Sequence, residues 1–148
     1  MSSRRQRRRW AVVLVSCAIG LGLAGCAHAR TAPAPVPPAT LRTVPGTTLH
    51  DVTLTGQALA DLGLRTAAVR AAGGGRTAFP LSAVIYDPQG RSWTYVAIAA
   101  RTFVRRPIAI ARFRGEMVVL RSGPRVGAPV VTVGAPELLG AEYGVGEE

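Results

Sequence analysis

Few residues in this sequence have side chains suited to catalysis or to metal binding. The chain contains two histidines, His28 and His50, and Asp51 directly follows His50. Neighbouring residues of a strand point to opposite faces, so His50 and Asp51 are poorly placed to work together as an acid–base pair. One strand histidine, Met117 and scattered carboxylates also make no metal-ligand cluster. We therefore expect no enzymatic activity, no metal and no cofactor.

The sequence before residue 27 has the features of an export and anchoring signal. The first ten residues carry five arginines, an apolar run follows, and Leu-Ala-Gly-Cys occupies positions 23–26. This order is typical of a secretory signal peptide over residues 1–25, and the apolar run is shorter than the ~20 residues of a membrane span. The tetrapeptide matches a bacterial lipobox, which predicts lipidation of Cys26 and a lipid anchor on the extracytoplasmic face of the cell membrane. The alternative is an ordinary signal peptide with a chance cysteine.

All of the positively charged side chains that Lys and Arg contribute to this sequence are arginines. Of 18 basic residues, five lie in the leader, so 13 remain against eight acidic residues, a formal +5. These arginines are scattered rather than interleaved with aromatic residues, which does not favour nucleic-acid binding. One group of arginines is close together in the sequence: Arg105, Arg106, Arg112 and Arg114. This group predicts a cationic interaction patch that would suit an acidic partner or anionic lipid headgroups. The alternative is that these arginines are simply solvated strand faces.

Composition divides the remaining chain into three parts. Residues 26–48 are rich in proline and alanine, which predicts an extended stalk behind the lipidated N-terminus. Residues 49–140 alternate in the manner of short strands, and residues 141–148 are expected to form a disordered tail. The expected fold is mainly β, a small antiparallel β-barrel or roll with one short helix at 56–62. Thr55 is the expected N-cap of that helix and Gly63 its C-terminal stop.

Turn signals and apolar positions add detail to this fold. Asp-Pro-Gln-Gly at 87–90 predicts one hairpin and Ala-Arg-Phe-Arg-Gly at 111–115 predicts a second. The segment Ala-Pro-Glu-Leu-Leu-Gly at 135–140 suggests one closing helical turn. Three consecutive glycines at 73–75 are interpreted as a flexible join between two strands of the same domain. The predicted core contains Leu54, Leu59, Leu62, Val84, Tyr95, Val96, Ile108, Val118, Leu120 and Val131.

Three runs of this chain, which together cover roughly residues 50–140, resemble the periplasmic adaptor subunits (membrane fusion proteins, HlyD-like) of RND-type efflux systems. Residues 52–69 are similar to the strand, short helix and strand that begin the adaptors' membrane-proximal domain. Residues 79–110 are similar to the adaptors' Pro-x-Ser-Ala-Val, aromatic-Val and Phe-x-x-Arg-x-Val run. Residues 122–134 resemble their Ser-Gly-Leu-x-x-Gly-Asp-x-Val-Val-x-x-Gly run, although Pro124 and Ala128 replace the usual Leu and Asp. The matching residues are Pro80, Ser82, Ala83, Val84, Gly90, Tyr95, Val96, Phe103, Arg106, Ile108, Ser122, Gly123, Gly127, Val130, Val131 and Gly134.

The resemblance implies a protein reduced to the adaptors' membrane-proximal domain. In a full adaptor, a β-barrel, a lipoyl-like domain and a helical hairpin separate the two halves of that domain, whereas here the glycines at 73–75 occupy the junction. The expected function is therefore a non-catalytic docking or accessory domain for a membrane transporter, such as an RND-type component. The alternative is an extracytoplasmic lipoprotein that binds a small molecule or a metal.

Overall fold

The computed structural model describes residues 36–144. The predicted signal peptide and Cys26 therefore lie outside the described residues, as do the last four residues of the predicted tail. The strands are β1 Ala39–Thr43, β2 His50–Leu54, β3 Arg65–Ala68, β4 Arg70–Ala71, β5 Thr77–Pro80, β6 Ile85–Tyr86, β7 Ser92–Ala99, β8 Thr102–Pro107, β9 Ala109–Arg114, β10 Met117–Ser122 and β11 Pro129–Val133. The helices are α1 Gly56–Leu62 and α2 Ala135–Glu142, with a short 3-10 turn at Leu81–Ala83.

The strands form two antiparallel sheets. The larger sheet has the order β1-β2-β8-β7-β11-β3, with β6 paired to β7, and the smaller has the order β4-β5-β10-β9. The expectation of a mainly β fold with a short helix is confirmed. Among the described residues the strands remain as two separate sheets, and no ladder closes them into a barrel.

The chain passes between the two sheets four times, and two of these crossings are made by a single buried residue. The chain leaves β3 in the larger sheet and enters β4 in the smaller one at Val69, and it makes a second crossing of this kind between β8 and β9 at Ile108. Both crossing residues are buried in the layer between the sheets. The sequence pattern predicted a single continuous strand through each of these residues, over 64–70 and over 102–110, whereas the structure divides each run into two strands of different sheets. Pro107, which cannot donate to a ladder, ends β8 where the second crossing begins.

The hydrophobic core has two layers because β7 alternates between them. Val96 points into the layer between the two sheets, together with Phe79, Val118 and Val130. Tyr95 points to the opposite layer, which both helices cover. Most of the predicted core residues are buried, namely Leu54, Tyr95, Val96, Ile108, Val118, Leu120 and Val131. Leu59, Leu62 and Val84 are only partly buried at the edges of the two layers.

The helix ends follow from local chemistry. Thr55 accepts a hydrogen bond from the backbone nitrogen of Ala58 at 3.1 Å, and Gly63 ends α1 in the left-handed region at φ 57°, as predicted. The second helix is longer than the single turn expected, because α2 continues to Glu142. Residues 141 and 142, which were assigned to a disordered tail, therefore belong to a helix that packs on the larger sheet.

Two further expectations differ from the structure. Residues 39–43 lie in the predicted stalk, yet they form β1, which pairs with β2 from Ala39–Leu54 to Thr43–His50. The glycine-rich join is an ordered hairpin turn rather than a slack linker. The backbone nitrogen of Ala72 donates to the carbonyl of Arg76 at 2.9 Å, and Gly73, Gly74 and Gly75 between them all have positive φ. Glycine is required there because other residues rarely adopt that backbone region. The strands on both sides lie in one compact unit.

Candidate functional site

The structure separates the four arginines of the predicted interaction patch. Arg105 is 6 % exposed and points toward α2. Arg106 is exposed and lines an open groove, on the opposite face of the same strand. Arg112 and Arg114 are exposed on β9, in the other sheet. The four residues therefore occupy three different environments, and Arg105 belongs to no exposed patch.

Arg105 is held by the C-terminal helix. Its Nε donates to the carboxylate of Glu142 at 2.9 Å, and the hydroxyl of Tyr95 donates to the other carboxylate oxygen at 2.5 Å. The Arg105 guanidinium also donates to the Tyr143 hydroxyl at 3.1 Å and lies over the Trp93 ring, 4.7 Å from its centroid. Each of these polar groups has a partner, as burial requires. The cluster joins α2 to the larger sheet.

The protonation equilibria in this cluster favour the observed hydrogen bonds. Burial raises the pKa of the Tyr95 hydroxyl far above its usual value, and the hydrogen bond to Glu142 raises it further. Burial lowers the pKa of Arg105, but the Tyr143 hydrogen bond and the Glu142 carboxylate outweigh that effect and raise it. Tyr95 therefore stays a neutral donor and Arg105 stays a cation. Neither group is available as a general acid or base near neutral pH.

A second polar cluster adjoins the first through Trp93. The Trp93 indole nitrogen donates to the carboxylate of Asp87 at 3.0 Å, and Arg91 donates to the same oxygen at 2.6 Å. The other Asp87 oxygen accepts hydrogen bonds from the backbone nitrogens of Gln89 and Arg91, at 3.0 and 2.9 Å. Burial raises the pKa of Asp87, but these hydrogen bonds and the Arg91 charge outweigh it, so the pKa is lowered overall. Asp87 thus fixes the hairpin that its sequence predicted.

An open groove lies beside Arg106. It has a volume of about 1120 Å³ and lies between residues 96–98 of β7, Arg106 and Pro107 of β8, and the loop 122–129. Ile98 and Val126 are each 54 % exposed along it. Its charged side chains are Arg106 and Arg125, and none of its lining residues is acidic. The groove therefore presents apolar surface and positive charge to solvent.

Loop 122–129 is anchored to the fold by backbone hydrogen bonds. The nitrogen of Val69 donates to the carbonyl of Ala128, and the nitrogen of Gly127 donates to the carbonyl of Val69, both at 2.9 Å. Because Val69 is itself buried between the sheets, the loop is fixed at its base. A groove wall fixed in this way is largely preformed, which reduces the entropy lost when a partner binds.

The side chains that could take part in catalysis or metal binding do not lie close together. His50 and Asp51 are partly buried neighbours on β2, and the backbone nitrogen of His50 donates to Glu142 at 3.4 Å. No group of three or more histidine, cysteine or acidic side chains close enough to hold a metal occurs within residues 36–144. In the same part of the chain, no helix has the length and apolar character needed to cross a membrane.

The sequence prediction missed both the groove and the Glu142 cluster. The groove depends on a loop that approaches two strands from a distant part of the chain, and the sequence carries no local signal for it. The sequence did contain a signal for the burial of Arg105, because Arg105 shares a strand face with the apolar Phe103 whereas Arg106 points to the other face. No protein-family model, curated protein or solved structure matches this chain.

Proposed function

We propose that this chain is a membrane-anchored, non-catalytic docking domain for an extracytoplasmic part of a membrane transporter. The observation that carries the proposal is the open groove beside Arg106, which combines apolar surface with two arginines and has no acidic lining residue. A segment with acidic and apolar side chains is complementary to such a surface. The resemblance of residues 79–110 and 122–134 to adaptor subunits supports a transporter as the class of partner. The lipobox at Cys26 supports a location at the membrane.

The proposed binding mode uses Arg106 and Arg125 for attraction and the apolar residues for contact. Arginine guanidinium groups bind carboxylates with two parallel hydrogen bonds where the geometry permits. Ile98 and Val126 provide exposed apolar area on the two sides of the groove. The charges are expected to act mainly on the rate of association, and burial of the apolar area on the lifetime of the complex.

Photo-crosslinking in cells tests this proposal. A photoreactive residue is placed at Val126 in the groove, and a matched control at Tyr86, which has the same 54 % exposure but does not line the groove. The Val126 position is expected to crosslink to an integral-membrane transport component, and the Tyr86 position is not. Recovery of no transport component from Val126, or equal recovery from both positions, contradicts the proposal.

A second candidate is supported by the size of the groove. A volume of about 1120 Å³ is large enough for a small organic molecule, and the two arginines favour an anionic one. Native mass spectrometry of the chain purified from its own cells distinguishes the two candidates. A bound small anion that is lost with Arg106→Gln, together with no crosslinked transport component, would favour the binding protein over the docking domain.

A further inference from the structure

The smaller sheet carries a second charged surface that the groove does not involve. Its two stretches of sequence, residues 70–80 and 109–122, contain five arginines and a single acidic residue, Glu116. Both helices pack on the larger sheet, in the layer that contains Leu59 of α1 and Leu138 of α2. Neither of the two helices therefore covers the outer face of the smaller sheet.

Strand register determines which residues share this outer face. Val118 and Leu120 of β10 are fully buried between the sheets, so the alternating residues Met117 and Val119 point outward. Directly opposed residues of antiparallel strands share a face. Val119 is opposite Ala78 on one side and Arg112 on the other, and Ala78 is in turn opposite Arg70.

The second row of the outer face has the same pattern. Met117 is opposite Pro80 of β5 and Arg114 of β9. Arg70, Arg112 and Arg114 are all exposed, and none of them forms a salt bridge with a residue of the described part of the chain. The face thus has exposed arginines along its two edge strands and a narrow apolar centre, in which Val119 is only 3 % exposed and Ala78, Pro80 and Met117 are half-buried.

We propose that this outer face binds the anionic phospholipid headgroups of the membrane to which the chain is tethered. Three exposed arginines on one face of a sheet match a surface of negative phosphates, and guanidinium groups donate to phosphate oxygens in a forked geometry. Their aliphatic stems can lie along the apolar centre while their charged ends reach the headgroups. Each arginine near an anionic membrane is expected to strengthen binding by ~fivefold.

This surface would complement the groove without depending on it. A lipid anchor fixes only the N-terminal end of the chain, whereas contact through the outer face would also fix the orientation of the domain. The headgroup contact rests on the membrane anchor of the proposed function but does not require the transporter partner, so failure of the Val126 crosslink would leave the headgroup contact standing.

Arginine modification provides a test with an internal control. The full lipidated chain is reconstituted into vesicles of phosphatidylcholine alone or of phosphatidylcholine with phosphatidylglycerol, and treated with phenylglyoxal, and each modified arginine is quantified by mass spectrometry. Arg42, Arg65 and Arg101 are also exposed but lie outside the outer face, so they are the control set. We expect modification of Arg70, Arg112 and Arg114 to slow several-fold in the anionic vesicles only, and 0.5 M NaCl to reverse the protection.

Matched variants complete the test. Arg70→Gln/Arg112→Gln/Arg114→Gln removes three charges from the face, and Arg42→Gln/Arg65→Gln/Arg101→Gln removes three charges elsewhere. With an environment-sensitive fluorophore attached at a Glu116→Cys position, only the first variant should lose the spectral shift caused by anionic vesicles. Equal modification rates in both vesicle types, or equal loss of the shift in both variants, overturns the proposal. Protection that appears only when membrane proteins are added would assign the face to an acidic protein instead and would also overturn it.

Discussion

The Nε of Arg105 lies 2.9 Å from the carboxylate of Glu142, and both side chains are almost fully buried. The two residues are 37 positions apart, and their contact joins the C-terminal helix α2 to the centre of the larger sheet. Tyr95 and the backbone of His50 donate to the same carboxylate. A buried ion pair of this kind is tolerated only because each of its polar atoms finds a partner.

Replacing one member of this pair should be costly. Glu142→Gln leaves the Arg105 cation buried without its counter-charge, which is expected to lower the free energy of unfolding by about 3–5 kcal/mol. Urea denaturation measures the change. Glu137→Gln is the control on the same helix, because Glu137 is exposed and its loss should cost less than about 1 kcal/mol.

A triple variant separates the charge effect from simple loss of packing. Combined with Tyr95→Phe, which removes the hydroxyl that donates to Glu142, Arg105→Met/Glu142→Leu replaces the buried polar groups by apolar side chains and is expected to recover most of the lost stability. If Glu142→Gln is no more destabilising than Glu137→Gln, the pair does not hold α2 on the sheet.

Asp87 is expected to make the stability of the domain vary with pH in the acidic range. Its pKa is lowered below the usual 3.8 because its hydrogen bonds and Arg91 outweigh its burial. A carboxyl with a lowered pKa contributes stability above its unfolded-state pKa, and that contribution is lost as the pH falls through its folded-state pKa. Asp87→Asn should therefore flatten the loss of stability below about pH 4, measured by thermal unfolding from pH 2 to pH 7. Exposed Asp61→Asn is the control, and an equal flattening in both variants would contradict this assignment.

Thr94 carries a buried hydroxyl that has no hydrogen-bond partner among the described residues. Its side chain is fully buried on β7, opposite Arg106 in the ladder. Thr94→Val keeps the shape and removes the unpaired hydroxyl, so we expect the free energy of unfolding to rise by about 1 kcal/mol. The control is Thr53→Val, which breaks the 3.0 Å hydrogen bond between the Thr53 and Thr102 hydroxyls and should destabilise. A loss of stability in Thr94→Val would show that the hydroxyl is satisfied.

Variants of the turn at Gly73–Gly75 test whether this segment is an ordered turn or a flexible join. Gly74 has φ 55° and no atom would lie within 4 Å of an added Cβ, so Gly74→Ala should cost about 1 kcal/mol through the backbone alone. Deleting Gly73 and Gly74 should cost more, because the bond from Ala72 to Arg76 spans three residues. Equilibrium unfolding measures both changes, and an unchanged stability of the deletion variant would restore the interpretation as a flexible join.

The sequence predicted the elements that depend on local chemistry. The cap of α1 at Thr55, its stop at Gly63 and the Asp87–Gly90 hairpin each need only a few neighbouring residues, and all three are present. The sequence did not predict β1, because the prolines before and after residues 39–43 dominate the composition there and its partner strand defines it.

The environments of the candidate site residues were harder to predict. The burial of Arg105 depends on Glu142, and the groove depends on a loop anchored by Val69, the distant residue between β3 and β4. Such long-range contacts leave little trace in local composition. The alternation around Phe103 and Val104 was the one local signal, and it separates Arg105 from Arg106 but does not identify their partners.

The central claim is that the domain docks while it is tethered to the membrane, and the yield of the Val126 crosslink tests it most directly. Cys26→Ser, or exchange of residues 1–26 for a leader that is cleaved without lipidation, should release the chain from the membrane fraction. Loss of the tether lowers the effective concentration at the transporter by ~100-fold or more, so the account predicts that the crosslink to a membrane transport component falls at least tenfold. An unchanged crosslink yield from the untethered chain would contradict it, and so would a Cys26→Ser chain that stays in the membrane fraction together with no uptake of labelled lipid by the unaltered chain.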